Sequence, residues 1–323
     1  MTNQDERTIQ QWAAAHPAPV TIRYLKGTGD ADASLARFCD QLGRCAPGVT
    51  IKTDSDAADR APALVLGVHQ NITYQAVPQG KELPPFFNAL NRGASDASQL
   101  AADLVANARR IEMPADLTLF ITMQCPHCPL TVDGLLALAD IAPDLQVTVI
   151  DGMRFTETAE KEGVRAVPTL VLDGHLRWTG HIDLAEVIDQ CRQRDPSQLT
   201  ARCLRQIIEA GEAPRLSTMM IEQAMIFPSF LDLLVHPRWS VRLGAMVTVE
   251  YLVDEAPGLA ARLVQPLWSR FGQLDASAQG DVVQVMAQTG TGQARQLLSS
   301  IAEGAFDPSV KTAAVEELAD WTD

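Results

Sequence analysis

Two hydrophobic periodicities run along this chain, and one of them stops. Over residues 1–192, short β-rich runs alternate with segments whose apolar residues recur at helical spacing; beyond residue 204 only the helical spacing persists. In the first stretch residues 20–24 read as a strand, and Ala33, Leu35, Ala36, Phe38 and Leu42 as the apolar positions of a helix. Residues 49–52 read as a strand, 63–66 and 72–76 as a hairpin, and 81–90 as a helix. After a helical connector over residues 97–111 the order returns: strand 117–122, helix 126–140, strand 146–150 and short helix 157–162. Strands 169–172 and 175–178 then flank Asp173-Gly174, a strong two-residue hairpin turn, and a helix over 184–192 closes the unit. The order β-α-β-α-β-β-α is complete in this second pass and approximate in the first, which predicts an internal duplication of topology.

The last region reads as helices separated by Pro, Gly and Asp, over residues 221–225, 230–235, 241–253, 259–271, 281–288, 293–302 and 310–321. Three of them open alike, at Pro237-Arg238-Trp239-Ser240-Val241, Gln279-Gly280-Asp281-Val282 and Pro308-Ser309-Val310: a turn, then a β-branched residue, then small apolar residues. This resembles HEAT repeats, α-hairpins that stack because none can bury its apolar face alone. A plain helical bundle is the competing reading. The expected division is therefore 1–112, 113–197 and 198–323: α/β, α/β, then all-α.

At 323 residues, 46% hydrophobic and 20% charged, the chain suits a globular protein of several domains. A net charge of −14 opposes phosphate backbones and anionic membrane surfaces, so neither nucleic acid nor membrane is expected as a partner. No run approaches the roughly 18–20 apolar residues of a membrane span, and residues 1–23 lack the pattern of a signal peptide. These features lead to an expected cytoplasmic location. Six cysteines are too few for a disulfide scaffold at this length.

The chemistry concentrates at Cys125-Pro126-His127-Cys128. Cys125 follows an apolar strand and is expected to open a helix, whose free N–H groups and positive dipole end stabilise a thiolate. Pro126 suits a first helical turn, where its missing N–H costs nothing. Cys128, three residues on, can reach back to resolve a mixed disulfide. His127 brings potential positive charge beside Cys125, favouring the reduced form. Two other readings compete. A structural disulfide is disfavoured in a reducing compartment, and a zinc site needs two more ligands that the scattered Cys39, Cys45, Cys191 and Cys203 do not provide. No metal and no bound cofactor are expected; Gly290-Thr291-Gly292 lies between helices and lacks the third glycine of a dinucleotide fingerprint. Downstream, Val167-Pro168 precedes the strand at 169, a common position for proline in its own right.

The runs Cys125-Pro126-His127-Cys128-Pro129, Val149-Ile150-Asp151-Gly152-Met153-Arg154-Phe155, Gly163-Val164-Arg165-Ala166-Val167-Pro168 and Asp173-Gly174 together resemble the N-terminal domain of the flavoprotein subunit of alkyl hydroperoxide reductases. That domain is a pair of fused thioredoxin folds with one active centre, in the second; archaeal protein disulfide oxidoreductases share the plan. The likeness spans residues 10–193 and is fainter in the first fold, at Ala61-Pro62-Ala63-Leu64 and Pro78-Gln79-Gly80-Lys81-Glu82. The resemblance implies that Pro168 is cis against the disulfide, with Val167 and Pro168 forming a ledge for an extended substrate. It implies that the first fold has no active cysteines, and the segment Lys26-Gly27-Thr28-Gly29-Asp30, where a Cys-x-x-Cys would fall, contains none. It places a glutamate, here Glu82, near the centre as a tuner or proton acceptor; a solvated helix-start carboxylate is the equal alternative. It also implies electron flow from a separate flavoprotein reductase to a peroxiredoxin or other protein disulfide, since no flavin or nicotinamide module follows. The expected function is thus a thiol–disulfide oxidoreductase with Cys125 as nucleophile, Cys128 as resolving thiol, and a protein partner on the C-terminal helices. The competing function is a helical scaffold or adaptor whose cysteine pair is a redox switch.

Overall fold

The computed structural model describes residues 1–55, 61–92 and 100–321, in two compact units, Met1–Arg194 and Asp195–Asp323. The first unit opens with α1 (Asn3–Ala15), which the hydropathy pattern does not announce because its only buried apolar residues are Ile9 and Trp12. A capping box holds its start: the Thr2 hydroxyl accepts the Asp5 N–H, and the Asp5 carboxylate accepts the Thr2 N–H. There follow β1 (Val20–Leu25), α2 (Gly29–Cys45), β2 (Val49–Asp54), β3 (Ala63–Leu66), β4 (Ile72–Gln75) and α3 (Leu83–Arg92), the last entered through a 3-10 turn at Gly80–Glu82. Of the expected connector at 97–111, the described part contains α4 (Ala102–Ala108); residues 93–99 lie outside the described set.

The second half runs β5 (Ala115–Ile121), α5 (Cys128–Ile141), β6 (Leu145–Asp151), α6 (Thr156–Lys161), β7 (Thr169–Leu172), β8 (Leu176–Thr179) and α7 (Leu184–Arg192). Asp173 and Gly174 both have positive φ, 51° and 75°, as a tight hairpin turn between β7 and β8 requires. One eight-stranded sheet joins the halves in the order β2-β1-β3-β4-β6-β5-β7-β8. Within each half the first two strands pair in parallel and the others antiparallel, so the expected topological repeat is present in the strand order. The halves meet where β4 pairs in parallel with β6, and α3 packs on α5 beside that seam. Asn71 fastens the joint: its side-chain amide donates to the carbonyls of Ala139 (2.8 Å) and Leu145 (2.7 Å). The segments 1–112 and 113–197 therefore share one sheet and the main apolar core, running from Ile9 to Cys191, with smaller clusters around Leu25 and Phe120.

The second unit is helical throughout its described residues. It comprises α8 (Ala201–Glu209), α9 (Ala213–Glu222), α10 (Phe230–Leu234), α11 (Trp239–Glu255), α12 (Pro257–Ala260), α13 (Val264–Phe271), α14 (Ala276–Gln288), α15 (Gly292–Glu303) and α16 (Pro308–Ala319). Two helices precede the first one expected, and the segment 221–225 is not itself a helix. There α9 ends, with Ala224 at φ 49° and the Met225 N–H donating to the Met220 carbonyl, a left-handed C-terminal cap. Gly244 in α11 faces Ile208 so closely that no Cβ fits between them, which brings α11 onto α8. Arg242, 2% exposed, locks α11 to α14 through Asp281 (2.5 Å) and Ser277 (2.8 Å).

Candidate active site

The site lies where β5 ends. Its last residue, Ile121, is followed by a turn in which the Cys125 N–H donates to the Thr122 carbonyl (3.1 Å). The helix expected at Pro126 begins instead at Cys128, with His127 as its N-cap, so Pro126 stands ahead of the helix and Pro129 occupies the first turn. The correction has a chemical consequence. Cys125 is not in the helix but in front of it, and the Cys128 N–H, a free donor of the first helical turn, donates to Cys125 Sγ at 3.1 Å. The two cysteines form a disulfide with Cα atoms 5.6 Å apart. Cys128 is fully enclosed, whereas Cys125 keeps 8% of its surface. Of the two, Cys125 alone reaches the surface. Pro126 and His127 are exposed beside it.

Val167 and Pro168 stand across from Cys125. The peptide bond between them is cis, and the Val167 carbonyl oxygen is 3.9 Å from Cys125 Sγ. Val167 is half-buried, Pro168 is buried, and Thr169 starts β7 with its hydroxyl donating to the Ala166 carbonyl (2.8 Å). A cleft of about 650 Å³ opens from this point along α5, lined by His127, Leu130, Thr131, Val167, Pro168 and His181 among others. Leu130 is 82% exposed there.

Glu82 is not a solvated carboxylate: it is 1% exposed. The 3-10 turn that carries it is pinned by α1, where Asp5 accepts the Gly80 N–H (2.9 Å). Its Oε2 accepts from the Tyr74 hydroxyl at 3.4 Å, and its Oε1 has no partner in this structure. Burial pushes the carboxyl up to about 7; the Tyr74 hydrogen bond opposes this and the Asp151 charge adds to it. Asp151, 2% exposed, is also raised by burial, against the Met153 and Arg154 N–H groups and the Arg154 guanidinium at 3.5 Å. It lies level with Ile121 in the β5–β6 register, at the strand ends from which Cys125 springs. Tyr74 and Asp151 carry no assigned role in the sequence reading. The signal available was an acid closing an apolar strand, in Val149-Ile150-Asp151.

The remaining thiols lie apart from this chemistry. Burial pushes Cys39 and Cys191 up to about 12, and Cys203 is fully buried. Among the described residues no group of three or more His, Cys, Asp or Glu is placed to hold a metal, and no helix is long and apolar enough to cross a membrane.

Comparison with known proteins matches residues 116–191 to the thioredoxin domain. The F subunit of an alkyl hydroperoxide reductase from Pseudomonas aeruginosa is 27% identical over 173 residues, 51% of this chain and 33% of that protein. A protein named NADH dehydrogenase from Ferdinandcohnia aciditolerans is 21% identical over 268 residues, 80% of this chain and 51% of its own length. The chain thus spans a third to a half of these curated relatives. Among solved structures, the NTD_N/C domain of the alkylhydroperoxide reductase AhpF from Enterococcus faecalis superposes with a TM-score of 0.51 at 20% identity, covering 59% of this chain and 99% of that one. A protein disulfide oxidoreductase from Aeropyrum pernix k1 gives 0.51 at 17% identity, covering 62% and 95%. At these identities the likeness is one of fold.

Proposed function

We propose that this chain, a thiol–disulfide oxidoreductase by its thioredoxin domain, relays electron pairs between a separate flavoprotein reductase and a protein disulfide, a peroxiredoxin among the candidates. The observation that carries the reading is the asymmetry of the pair: Cys125 open and receiving a helix N–H, Cys128 sealed behind it. In the reduced centre the Cys125 thiolate attacks one sulfur of the substrate disulfide. The S–S bond breaks, and the far sulfur leaves as a thiolate and takes a proton. Cys128, having lost its proton, then attacks Cys125 Sγ, re-forming the Cys125–Cys128 disulfide and releasing the second substrate thiol. Two electrons and two protons have passed to the substrate, and the reductase restores the dithiol.

Val167 and Pro168 form the ledge along which an extended substrate lies, and Pro126 and His127 flank the open sulfur. His127, when protonated, stabilises the Cys125 thiolate. Glu82, with a carboxyl near neutrality, tunes the centre from the first half. Residues 1–112 are read as a thioredoxin fold without active cysteines, 113–197 as the working fold, and 198–323 as a HEAT-like array that binds a protein partner. No bound cofactor beyond the disulfide is invoked, and the cytoplasm is the expected compartment.

The test is turnover of a small disulfide coupled to a thioredoxin-reductase-type flavoprotein. Sustained turnover that disappears in Cys125→Ser, together with a trapped mixed disulfide in Cys128→Ser, is the expected result. A single stoichiometric reduction without turnover would instead make the cysteine pair a switch.

A further inference from the structure

A second cleft, of about 400 Å³, lies on the first unit, and neither Cys125 nor Cys128 lines it. One wall is the face of α2 that presents Ser34, Arg37, Gln41 and Arg44, spaced three or four residues apart; Gln79 and Arg154 close it from other elements. Three guanidiniums therefore converge on one concavity of a chain whose net charge is −14.

With 40 acidic residues against 26 basic ones, a surface arginine in this chain has carboxylates within easy reach. Arg37 and Arg44 nevertheless pair with none among the described residues. Arg37 donates to the Ser34 hydroxyl (3.1 Å) and Arg44 to the Asp40 backbone carbonyl (3.2 Å), both neutral groups. Arg154 meets Asp151 through Nε at 3.5 Å, so its two terminal amino groups remain for another partner. Among the described residues Asp40 is the lone carboxylate in the lining, and Asp151 lies behind Arg154.

We propose that this cleft binds a small phosphate-bearing anion. Planar guanidinium forks match the oxygens of a phosphoryl group, and three of them exceed what a single carboxylate can engage. The hydroxyl of Ser34 and the amides of Gln41 and Gln79 add neutral donors. The volume falls in the range of small-molecule sites, with room beyond one phosphoryl group. This site is independent of the dithiol reading. Arg154 is where its occupant touches the redox half, since the same guanidinium is the counter-ion of Asp151.

Titration calorimetry of the full chain with inorganic pyrophosphate at low ionic strength tests the assignment. Saturable one-to-one binding is expected, weakening as salt rises. The double variant Arg37→Gln, Arg44→Gln, on an exposed helix face, should weaken it by about tenfold or more while leaving disulfide turnover unchanged. Asp40→Asn should tighten it. No saturable binding, or equal binding by the double variant, would overturn the proposal, as would looser binding by Asp40→Asn. Tighter binding of a glutamate-rich peptide than of pyrophosphate would give the cleft to an acidic protein surface and equally overturn it.

Discussion

Replacing Glu82 with glutamine turns its enclosure into a measurable slope. The carboxyl is 1% exposed, with one oxygen unpartnered and the other reached only by the Tyr74 hydroxyl. Burial, opposed by Tyr74 and reinforced by Asp151, moves it from an ordinary 4.5 to about 7. Below pH 4.5 the folded and unfolded chains both hold the proton, and the group does not alter stability with pH. Between 4.5 and about 7 the unfolded chain has released the proton while the folded chain keeps it, so stability falls as pH rises. Above about 7 both are ionised and the penalty is constant. At about 1.4 kcal/mol per pH unit, that interval corresponds to roughly 3 kcal/mol. Glu82→Gln cannot ionise, so its stability relative to wild type should climb by roughly that amount between pH 4.5 and about 8, whatever its offset at low pH. Asp151 titrates in the same sense in both proteins, which is why the difference is read. Urea unfolding at matched pH values, with the disulfide kept oxidised, supplies the numbers. A flat difference would mean that Glu82 ionises at its ordinary value, and a falling one that it ionises below it; either would require the electrostatic part of the site to be abandoned.

Four further outcomes are expected. Limiting alkylation of the reduced protein at mildly acidic pH, read by peptide mapping, should label Cys125 first; labelling of Cys128, Cys39 or Cys191 ahead of it would contradict the exposure argument. His127→Ala, equilibrated against a glutathione buffer, should make the disulfide more reducing, by tens of millivolts if the imidazole contributes about 1 kcal/mol to the thiolate; an unchanged or more oxidising potential refutes that contribution. Arg242→Met should destabilise the second unit by about 3–5 kcal/mol in thermal or urea melts, because Asp281 loses a buried counter-ion; a loss under about 1 kcal/mol would show that water replaces the guanidinium. A chain ending at Gln198 should reduce a small disulfide at close to the full rate, provided it retains Arg194, whose guanidinium holds Asp173 and the Met113 carbonyl; loss of rate in a folded truncation would place part of the site on the helices.

The strands were the most legible part of the chain, for a physical reason. β3 and β7 are buried at every position, so they appear as short unbroken apolar runs between turn residues. Asp173-Gly174 announces its own geometry because two consecutive positive φ values leave little choice of residue. Helix boundaries were less legible. The pattern that starts a helix at Pro126 is apolar periodicity from Val132 onward, and it says nothing about the three residues that form the bend before Cys128. α1 has two buried apolar residues in thirteen, so its capping box is the only strong signal in it. α8 is a different case, since Cys203, Leu204, Ile207 and Ile208 make a clear helical face that was simply readable. Ile221 to Met225 misleads because its apolar residues cap a helix end rather than fill a helix. Of the site, the cysteines, Val167 and Pro168 could be named from local motifs. Glu82 was reached only through the family resemblance, and its grouping with Tyr74 and Asp151 not at all, because the group assembles from segments that meet only when β4 pairs with β6.

Across that seam the first half presents a loop that corresponds to the cysteine loop of the second. In each half a proline precedes the third strand, Pro62 and Pro168, and the loop after the first strand packs against it. In the second half the residue at this place is Cys125. In the first it is Gly27, where a Cβ would lie 2.7 Å from the Pro62 nitrogen, so no side chain, thiol-bearing or otherwise, fits without moving backbone. The loop is closed to a sulfur by packing. What the first half contributes instead is delivered across the joint: β4 completes the sheet beside β6, Asn71 holds the start of β6 and the end of α5, and α3 covers the helix that Cys128 begins. Glu82 belongs to the same set of contributions, a carboxyl that the first half places against the strand ends of the second. The first half thus closes its own loop to a side chain at Gly27 and lends β4, Asn71 and α3 to the surroundings of the disulfide in the second.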